Sequence, residues 1–267
     1  MKDTTQHLDM DARALSGALG AEVRGIDLAS LDDPTFDQLH ELLMEVGVLA
    51  LHGQAHLTVP QLREFGMRWG DLDVHGFAGF GGFDDVLRVA ANPENPLVAE
   101  NWHTDASWKQ VPPKYTVLLA RQMPSVGGDT LFASQYKAYE DLSDAMKAFI
   151  EPLDAIHDGR IIDPMYSKDS VVHPIVITHP ETGRKALYVN ANYTQSVVQL
   201  EPREGKALLE FLFAHCTRER YQARVRYEPG TLAIWDQRCM QHAAAADFLG
   251  ARELHRIAVL GDAPPSR

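Results

Sequence analysis

From about residue 86 onward the chain is a succession of short apolar stretches cut by turn residues: VLRVAA, YTVLLARQM, DTLFAS, IVITHP, KALYVN, ARVRYEP, TLAIWD and LHRIAVLGD. Segments of this length, rich in β-branched and aromatic residues and bounded by Gly, Pro and Asn, form strands. They do not alternate strictly with helices, and no Gly-x-Gly-x-x-Gly occurs, so a doubly wound parallel sheet is disfavoured. An antiparallel sandwich or barrel is the expected core. Two helical stretches interrupt the series. One is QYKAYEDLSDAMKAFI; the other is PREGKALLEFLFAHC, with Pro202 in its first turn and Leu208, Leu209, Phe211 and Leu212 on its apolar face. Upstream, GAEVRGIDL and VLALHGQ read as strands. TFDQLHELLMEVG spaces Phe36, Leu39, Leu42, Leu43 and Val46 helically and stops at Gly47. TVPQLREFGMRWG is a second helix, with Thr58 as its N-cap and Pro60 in its first turn. The expected class is mainly β with flanking helices (α+β). No repeat, low-complexity tract or linker divides residues 1–267, so one domain is expected.

Composition narrows the partners. Hydrophobic residues are 45% of the 267, enough for a full core. With 25 Lys+Arg against 37 Asp+Glu the net charge is -12, and no basic block stands out. Nucleic acid and anionic membranes are therefore poor partners, and an anionic ligand would need locally placed cations. Cys216 and Cys239 make neither a disulfide framework nor a metal-type spacing. The N-terminal MKDTTQHLDM lacks the apolar centre of a signal peptide, and no apolar run approaches the ~20 residues that span a bilayer. A reducing, cytoplasmic setting is expected.

Chemistry concentrates in AENWHTDASW, which sets His103 and Asp105 two apart. On a strand, such a pair projects from one face and could grip one cation. Spacing alone decides nothing, since His7 and Asp9 repeat it near the N-terminus, with no strand read around them. What distinguishes His103 and Asp105 is the far end of the chain: His242 follows the apolar strand TLAIW, and Arg252, Leu254 and Arg256 share one face if their segment is extended. Two inward arginines need an anionic partner. Two histidines and a carboxylate, leaving three coordination positions open, form the facial triad of non-haem Fe(II) oxygenases. Hydrolysis at zinc on the same ligands stays possible, as does a ligand-binding protein without turnover. In PSVGGDTLFAS, Gly127 and Gly128 suit a tight turn before Thr130, whose hydroxyl, together with an arginine, could hold the distal carboxylate of a dicarboxylic acid. His52, His56, His157, His173, His179 and His215 read as structural or exposed, His255 should face away from Arg256, and Trp102 and Trp108 suit either a site wall or the core.

NWHTD, GGDTLFAS, HPIVITHPETGRKALYVN, FLFAH, AIWDQRCMQH, ADF and HRIAVLGD, in this order, resemble the TauD/TfdA group of Fe(II)- and 2-oxoglutarate-dependent dioxygenases, the taurine dioxygenase-like enzymes. The resemblance runs from GAEVRGIDL to the C-terminal strand. It implies a double-stranded β-helix (jelly-roll) core with Fe(II), 2-oxoglutarate and O2. It further implies that decarboxylation of 2-oxoglutarate is coupled to hydroxylation of a small anionic substrate. Sulfonates, alkyl sulfates, aryloxy acids and carboxylates are the candidates, with C–O or C–S cleavage where the hydroxylated carbon carries such a group. By the same resemblance His103, Asp105 and His242 ligate the metal, and Thr130 and Arg252 hold 2-oxoglutarate. Arg256 meets an anionic group of the substrate, and His75 lines its pocket. Arg252 and Arg256 could exchange roles, because the loop after His242 is one residue shorter than in the taurine-oxidising members. A homo-oligomer, dimer or tetramer, is also implied. Two departures turn the substrate away from taurine. HGFAGFGGF places Ala78 or Gly79 where a tyrosine is expected, and Ala99 replaces an asparagine. A bulkier, more apolar substrate is expected, with Phe77, Phe80 and Phe83 as candidate walls. The stretch HDGRIIDPMYSKDSVVHP is short, which implies a reduced lid.

Overall fold

The computed structural model describes residues 10–74, 79–92, 94, 99–160 and 170–267. The N-terminal part contains β1 (Asp11–Ala14), β2 (Ala21–Arg24), α1 (Asp33–Val46), β3 (Val48–Leu51), α2 (Val59–Met67) and β4 (Leu87–Ala91). The middle comprises β5 (Tyr115–Gln122), β6 (Thr130–Ser134), α3 (Gln135–Glu140), α4 (Asp144–Ile150), β7 (Asp154–Asp158) and β8 (Ser170–Pro174). There follow β9 (Val176–Thr178), β10 (Lys185–Leu187), β11 (Thr194–Val197), α5 (Pro202–Cys216), β12 (Gln222–Val225), β13 (Leu232–Asp236), β14 (Met240–Ala244) and β15 (Arg252–Val259).

Seven strands make the major sheet in the order β1-β2-β3-β13-β5-β15-β4, antiparallel except where β2 meets β3. That parallel pair needs a crossover, which α1 supplies. Asp32 caps α1 at the Thr35 amide, and Gly47 ends it with φ 76° and a bond from its amide to the Leu43 carbonyl. The left-handed turn requires glycine here; a Cβ would also lie 2.1 Å from Met240 Cε, a flexible side-chain end that would have to move away. Smaller sheets, β12-β6-β14, β11-β7-β8 and β9-β10, complete the jelly-roll.

The major sheet is buried on both faces, and its strands divide their side chains by parity. On β13, Leu232 and Ile234 join one core while Ala233 and Trp235 join another; on β5, Val117 and Leu119 part from Leu118 and Ala120 in the same way. The outer core is covered by α1 and α2 through Leu39, Leu42, Leu43, Leu62 and Phe65. The inner core meets Phe132, Tyr188, Val225 and Met240 from the smaller sheets. Removing a ring such as Trp235 to alanine would cost roughly 3–5 kcal/mol. The inner face is the one that carries the site.

Three expectations change. QYKAYEDLSDAMKAFI is two helices, because Ser143 adopts an extended conformation and caps a new start at the Met146 amide. Phe211 is 44% exposed, so the buried stripe of α5 consists of Leu208, Leu209 and Leu212. Phe36 is only half-buried; it packs edge-on against Trp69 and under the Arg68 guanidinium.

Candidate active site

His242 lies on β14, whose register with β6 sets it opposite Phe132 and sets Ala244 opposite Thr130. Its ring packs against Trp235 at 4.8 Å and stacks on Phe132. His103 belongs to no regular strand. It forms an isolated antiparallel pair with His242, amide to carbonyl in both directions at 3.0 and 2.8 Å. Directly opposed residues of this kind bring their side chains together, and the two imidazole centroids are 4.2 Å apart. Asp105 is already in a turn, with Ala106 at φ 49°, so the expected shared strand face is not what gathers the pair. The turn folds the carboxylate back instead. Thr104 anchors it by donating to the Met240 carbonyl.

The donor atoms of His103, Asp105 and His242 all lie within 4.8 Å of one another; among the described residues no other group of three His, Cys, Asp or Glu side chains does so. Asp105 Oδ1 is 3.4 Å from His103 Nε2 and 3.8 Å from His242 Nε2. His103 Nδ1 sits 2.8 Å from the Asn101 carbonyl, which can only accept, so Nδ1 donates there and Nε2 is the ring nitrogen turned toward Asp105. Burial, then the adjacent His103 ring, depresses the His242 imidazolium to about 3, so this ring is neutral. Burial pushes the Asp105 carboxyl upward. The Arg256 guanidinium and the two imidazoles outweigh burial and hold the carboxyl well below the usual carboxylate range. A neutral His242 imidazole and an ionised Asp105 carboxylate are donors of the deprotonated kind that a divalent cation needs, and His103 Nε2 is turned toward the same carboxylate oxygen.

The other carboxylate oxygen is occupied. Asp105 Oδ2 accepts from Gln237 Nε2 at 2.7 Å, Arg256 Nη2 at 2.7 Å and the Thr116 hydroxyl at 3.0 Å. Sequence reading passed over Gln237 and Thr116. A glutamine beside the apolar run TLAIWD was the one available signal.

These groups line a cavity of about 130 Å³ with Val89, Ala99, Leu118, Leu254, Thr130 and Arg252. Arg252, Leu254 and Arg256 do share the inner face of β15, because β15 runs in continuous register with β4. The two arginines differ sharply. Arg256 holds Asp105, whereas Arg252, only 4% exposed, makes no hydrogen bond or ion pair with any other described residue, and its Nε is buried without a partner. Burial lowers its pKa, yet a guanidinium stays charged in proteins. A buried cation that Asp129 attracts without a direct contact, lining one cavity with Thr130, fits a ligand carboxylate. Gly127 (φ 77°) turns the chain into β6, and a Cβ there would meet the Asp247 carbonyl at 2.4 Å. Ala99 contributes a backbone bond from the Ala244 amide and no polar side-chain atom. His75, Phe77 and Ala78 lie outside the described residues, as do His7 and Asp9.

The remaining histidines have partners of their own. His179 donates to Asp236, His157 contacts Ser107, His215 bonds the Ala138 carbonyl, and His173 the Lys109 carbonyl. His52 is buried between Glu22 and Glu228, and His56 pairs with Asp27 at the surface. His255 faces Arg121 and Phe80, away from Arg256. Trp108 packs on Tyr193, which in turn meets the His103 ring edge-on. A larger cleft, about 420 Å³, opens between α1 and the C-terminal tail, but its cations Arg68, Lys114 and Arg238 are already paired with Asp33, Asp262, Asp236 and Glu181.

The model of the taurine catabolism dioxygenase TauD, TfdA family matches residues 11–258. The α-ketoglutarate-dependent dioxygenase cnsP of Penicillium expansum is 32% identical over 88% of this chain and 70% of its own length. The alkylsulfatase of Acinetobacter baylyi is 31% identical over 98% of this chain and 88% of its own. Among solved structures, a putative α-ketoglutarate-dependent taurine dioxygenase from Burkholderia xenovorans superposes with TM-score 0.87 at 31% identity, covering 96% of this chain and 94% of that one. A jelly-roll with two histidines, one aspartate and an unpaired buried arginine on its inner face is thus matched along nearly its whole length, and the chain belongs to the TauD/TfdA family of α-ketoglutarate-dependent dioxygenases.

Proposed function

We propose that this protein is an Fe(II)- and 2-oxoglutarate-dependent dioxygenase that hydroxylates a small organic anion with an apolar body. His103 Nε2, Asp105 Oδ1 and His242 Nε2 would hold the iron, and Arg252 with Thr130 would hold the distal carboxylate of 2-oxoglutarate. The observation that carries this reading is Arg252: a buried guanidinium with no hydrogen-bonding partner among the described residues, in one cavity with the converging donor atoms of His103, Asp105 and His242. A zinc hydrolase has no use for it. Arg252 rather than Arg256 suits the cosubstrate, because Arg256 is already engaged by Asp105.

When bound, iron and the keto acid supply O2 activation, coupling decarboxylation to succinate with C–H hydroxylation. The chain contributes placement and dryness. Trp235, Phe132 and Leu254 back the donors, so their charges act in a poorly solvated setting. Arg256 projects into the same cavity and would steer an anionic substrate group to it. Val89, Ala99, Leu118 and Leu254 give the cavity apolar walls, which favour an alkyl or aryl body over the ammonium end of taurine. His75 and Phe77 are assigned to the substrate side on the strength of the family resemblance.

Anaerobic protein given Fe(II) and 2-oxoglutarate should develop the weak visible charge-transfer band of the chelate, and His103→Ala should abolish it. An unchanged band in that variant overturns the ligand assignment. Succinate release screened against sulfonates, alkyl sulfates, aryloxy acids and carboxylates should then respond to members with apolar bodies more than to taurine.

A further inference from the structure

The metal-binding oxygen of Asp105 is selected by a residue that touches neither metal nor substrate. We infer that Gln237 is a positioning residue that fixes Asp105 as a one-oxygen ligand and so keeps a coordination position free for the cosubstrate. This rests on the metal-site reading above and adds a device to it.

Gln237 is 1% exposed and holds Asp105 at two points, 132 residues away in the chain. Its Oε1 accepts the Asp105 amide at 3.1 Å, which sets the backbone of the turn. Its Nε2 donates to Oδ2 at 2.7 Å and also to the Thr116 hydroxyl at 2.8 Å. Because that amide hydrogen occupies a lone pair of Thr116, the hydroxyl is turned to donate its own proton onward to Oδ2 at 3.0 Å. With Arg256 as third donor, Oδ2 has no capacity left for a cation. Oδ1 is approached only by the two imidazoles, 3.4 Å from His103 Nε2 and 3.8 Å from His242 Nε2, the nitrogens that would share a cation with it. A free carboxylate can offer a cation either one oxygen or both. Here the second oxygen is saturated, and the residue that both saturates it and orients its other neutral donor is Gln237. Gln237 lies directly after β13, whose end is fixed by pairing of Asp236 with Tyr115 and by the bond from the Gln237 amide to the Lys114 carbonyl. The side chain therefore extends from a rigid edge.

Partners of this kind beside metal ligands are worth roughly 10–100-fold in metal affinity. The test is anaerobic Co(II) titration of the purified full chain, with near-ultraviolet circular dichroism confirming the fold of each variant. Gln237→Glu keeps the acceptor for the Asp105 amide and removes the donor to Oδ2; Gln237→Met removes both. Both should weaken Co(II) binding by roughly 10–100-fold, and at saturating metal should raise the KM for 2-oxoglutarate more than they lower kcat. A purely structural role would lower the melting temperature and leave the affinity of the folded protein unchanged. Thr116→Val, which removes one donor of three, should weaken Co(II) binding several-fold. It reports on the inference even if the Gln237 variants fail to fold. Folded variants that bind Co(II) like the unsubstituted chain overturn the role of Gln237. If instead the unsubstituted chain and His103→Ala bind Co(II) alike, the metal-site reading itself falls.

Discussion

Two buried His–Asp clusters lie on neighbouring parts of this molecule, and they are built to opposite ends. In one, His179 and Asp236 are almost wholly buried, and every oxygen of Asp236 is bonded: Oδ2 to His179 Nε2 and Arg238 Nη2, Oδ1 to the Arg238 amide and Nε. In the other, one oxygen of Asp105 is saturated by side-chain donors while the second faces only two imidazole nitrogens, both able to ligate a cation. The residue types are the same. What separates a structural cluster from a reactive one is the lone pairs left over.

The widest separation is expected from exchanging a carboxylate at each place. Asp105→Ala should abolish turnover and Co(II) binding; because it also strands the donors of Arg256, Gln237 and Thr116, it should cost the metal-free protein about 1–3 kcal/mol in urea unfolding, less than the change at the more deeply buried Asp236. Asp236→Ala should strip His179 and Arg238 of their buried carboxylate, leaving Arg238 only its half-exposed partner Glu181, and cost roughly 3–5 kcal/mol, with Co(II) affinity of the folded protein retained. Equal losses of stability in the two variants would erase the distinction.

Arg252→Met comes next. Losing a charged hydrogen-bond partner of the cosubstrate should raise the KM for 2-oxoglutarate by on the order of 10²-fold, and the unliganded protein should be no less stable, since an unpaired buried charge is removed. A KM unchanged by this variant assigns the clamp elsewhere. A smaller effect concerns pH. Burial, then the neighbouring His173, lowers His157 to about 3 from its ordinary 6.5. The unfolded chain therefore takes up a proton that the folded one refuses, and stability falls as pH drops from about 6.5 toward 3, by ~1.4 kcal/mol per unit. Urea titrations at pH 6.5 and 4.5 should show this slope, flatter by one proton in His157→Gln. The least effect is expected at Phe211, whose replacement by serine should shift stability by no more than about 0.5 kcal/mol despite its place in an apolar-looking helix.

The strands were legible where side chains alternate between two cores, as on β5 and β13, and the helices where caps announce them: Asp32, Thr58, and Pro202 behind Glu201. Strands β1, β7, β8, β11 and β14 went unread. They are five residues or shorter, and they mix histidines, serines and charges with their apolar positions. Of the candidate site, the three donors and both arginines were visible as residue types at suggestive places, and the cavity does gather them. How Asp105 turns back was not visible, because a positive φ at an alanine leaves no mark in the sequence. Nor was the division of labour between the arginines, which depends on whether Asp105 or a ligand reaches each guanidinium.

The short bridge between His103 and His242 has a consequence for how the protein comes into being. Its two sides are far apart in the chain and are brought together only after β13 and β14 have been made. Until then the nascent chain holds half a site, and a chain stopped after β13 should bind no metal there, however well its earlier strands have formed. Once complete, an ion held from both sides staples a very long loop, the case in which cross-linking restricts the unfolded ensemble most. Metal supply should therefore govern how quickly new chains mature and how slowly finished ones unfold.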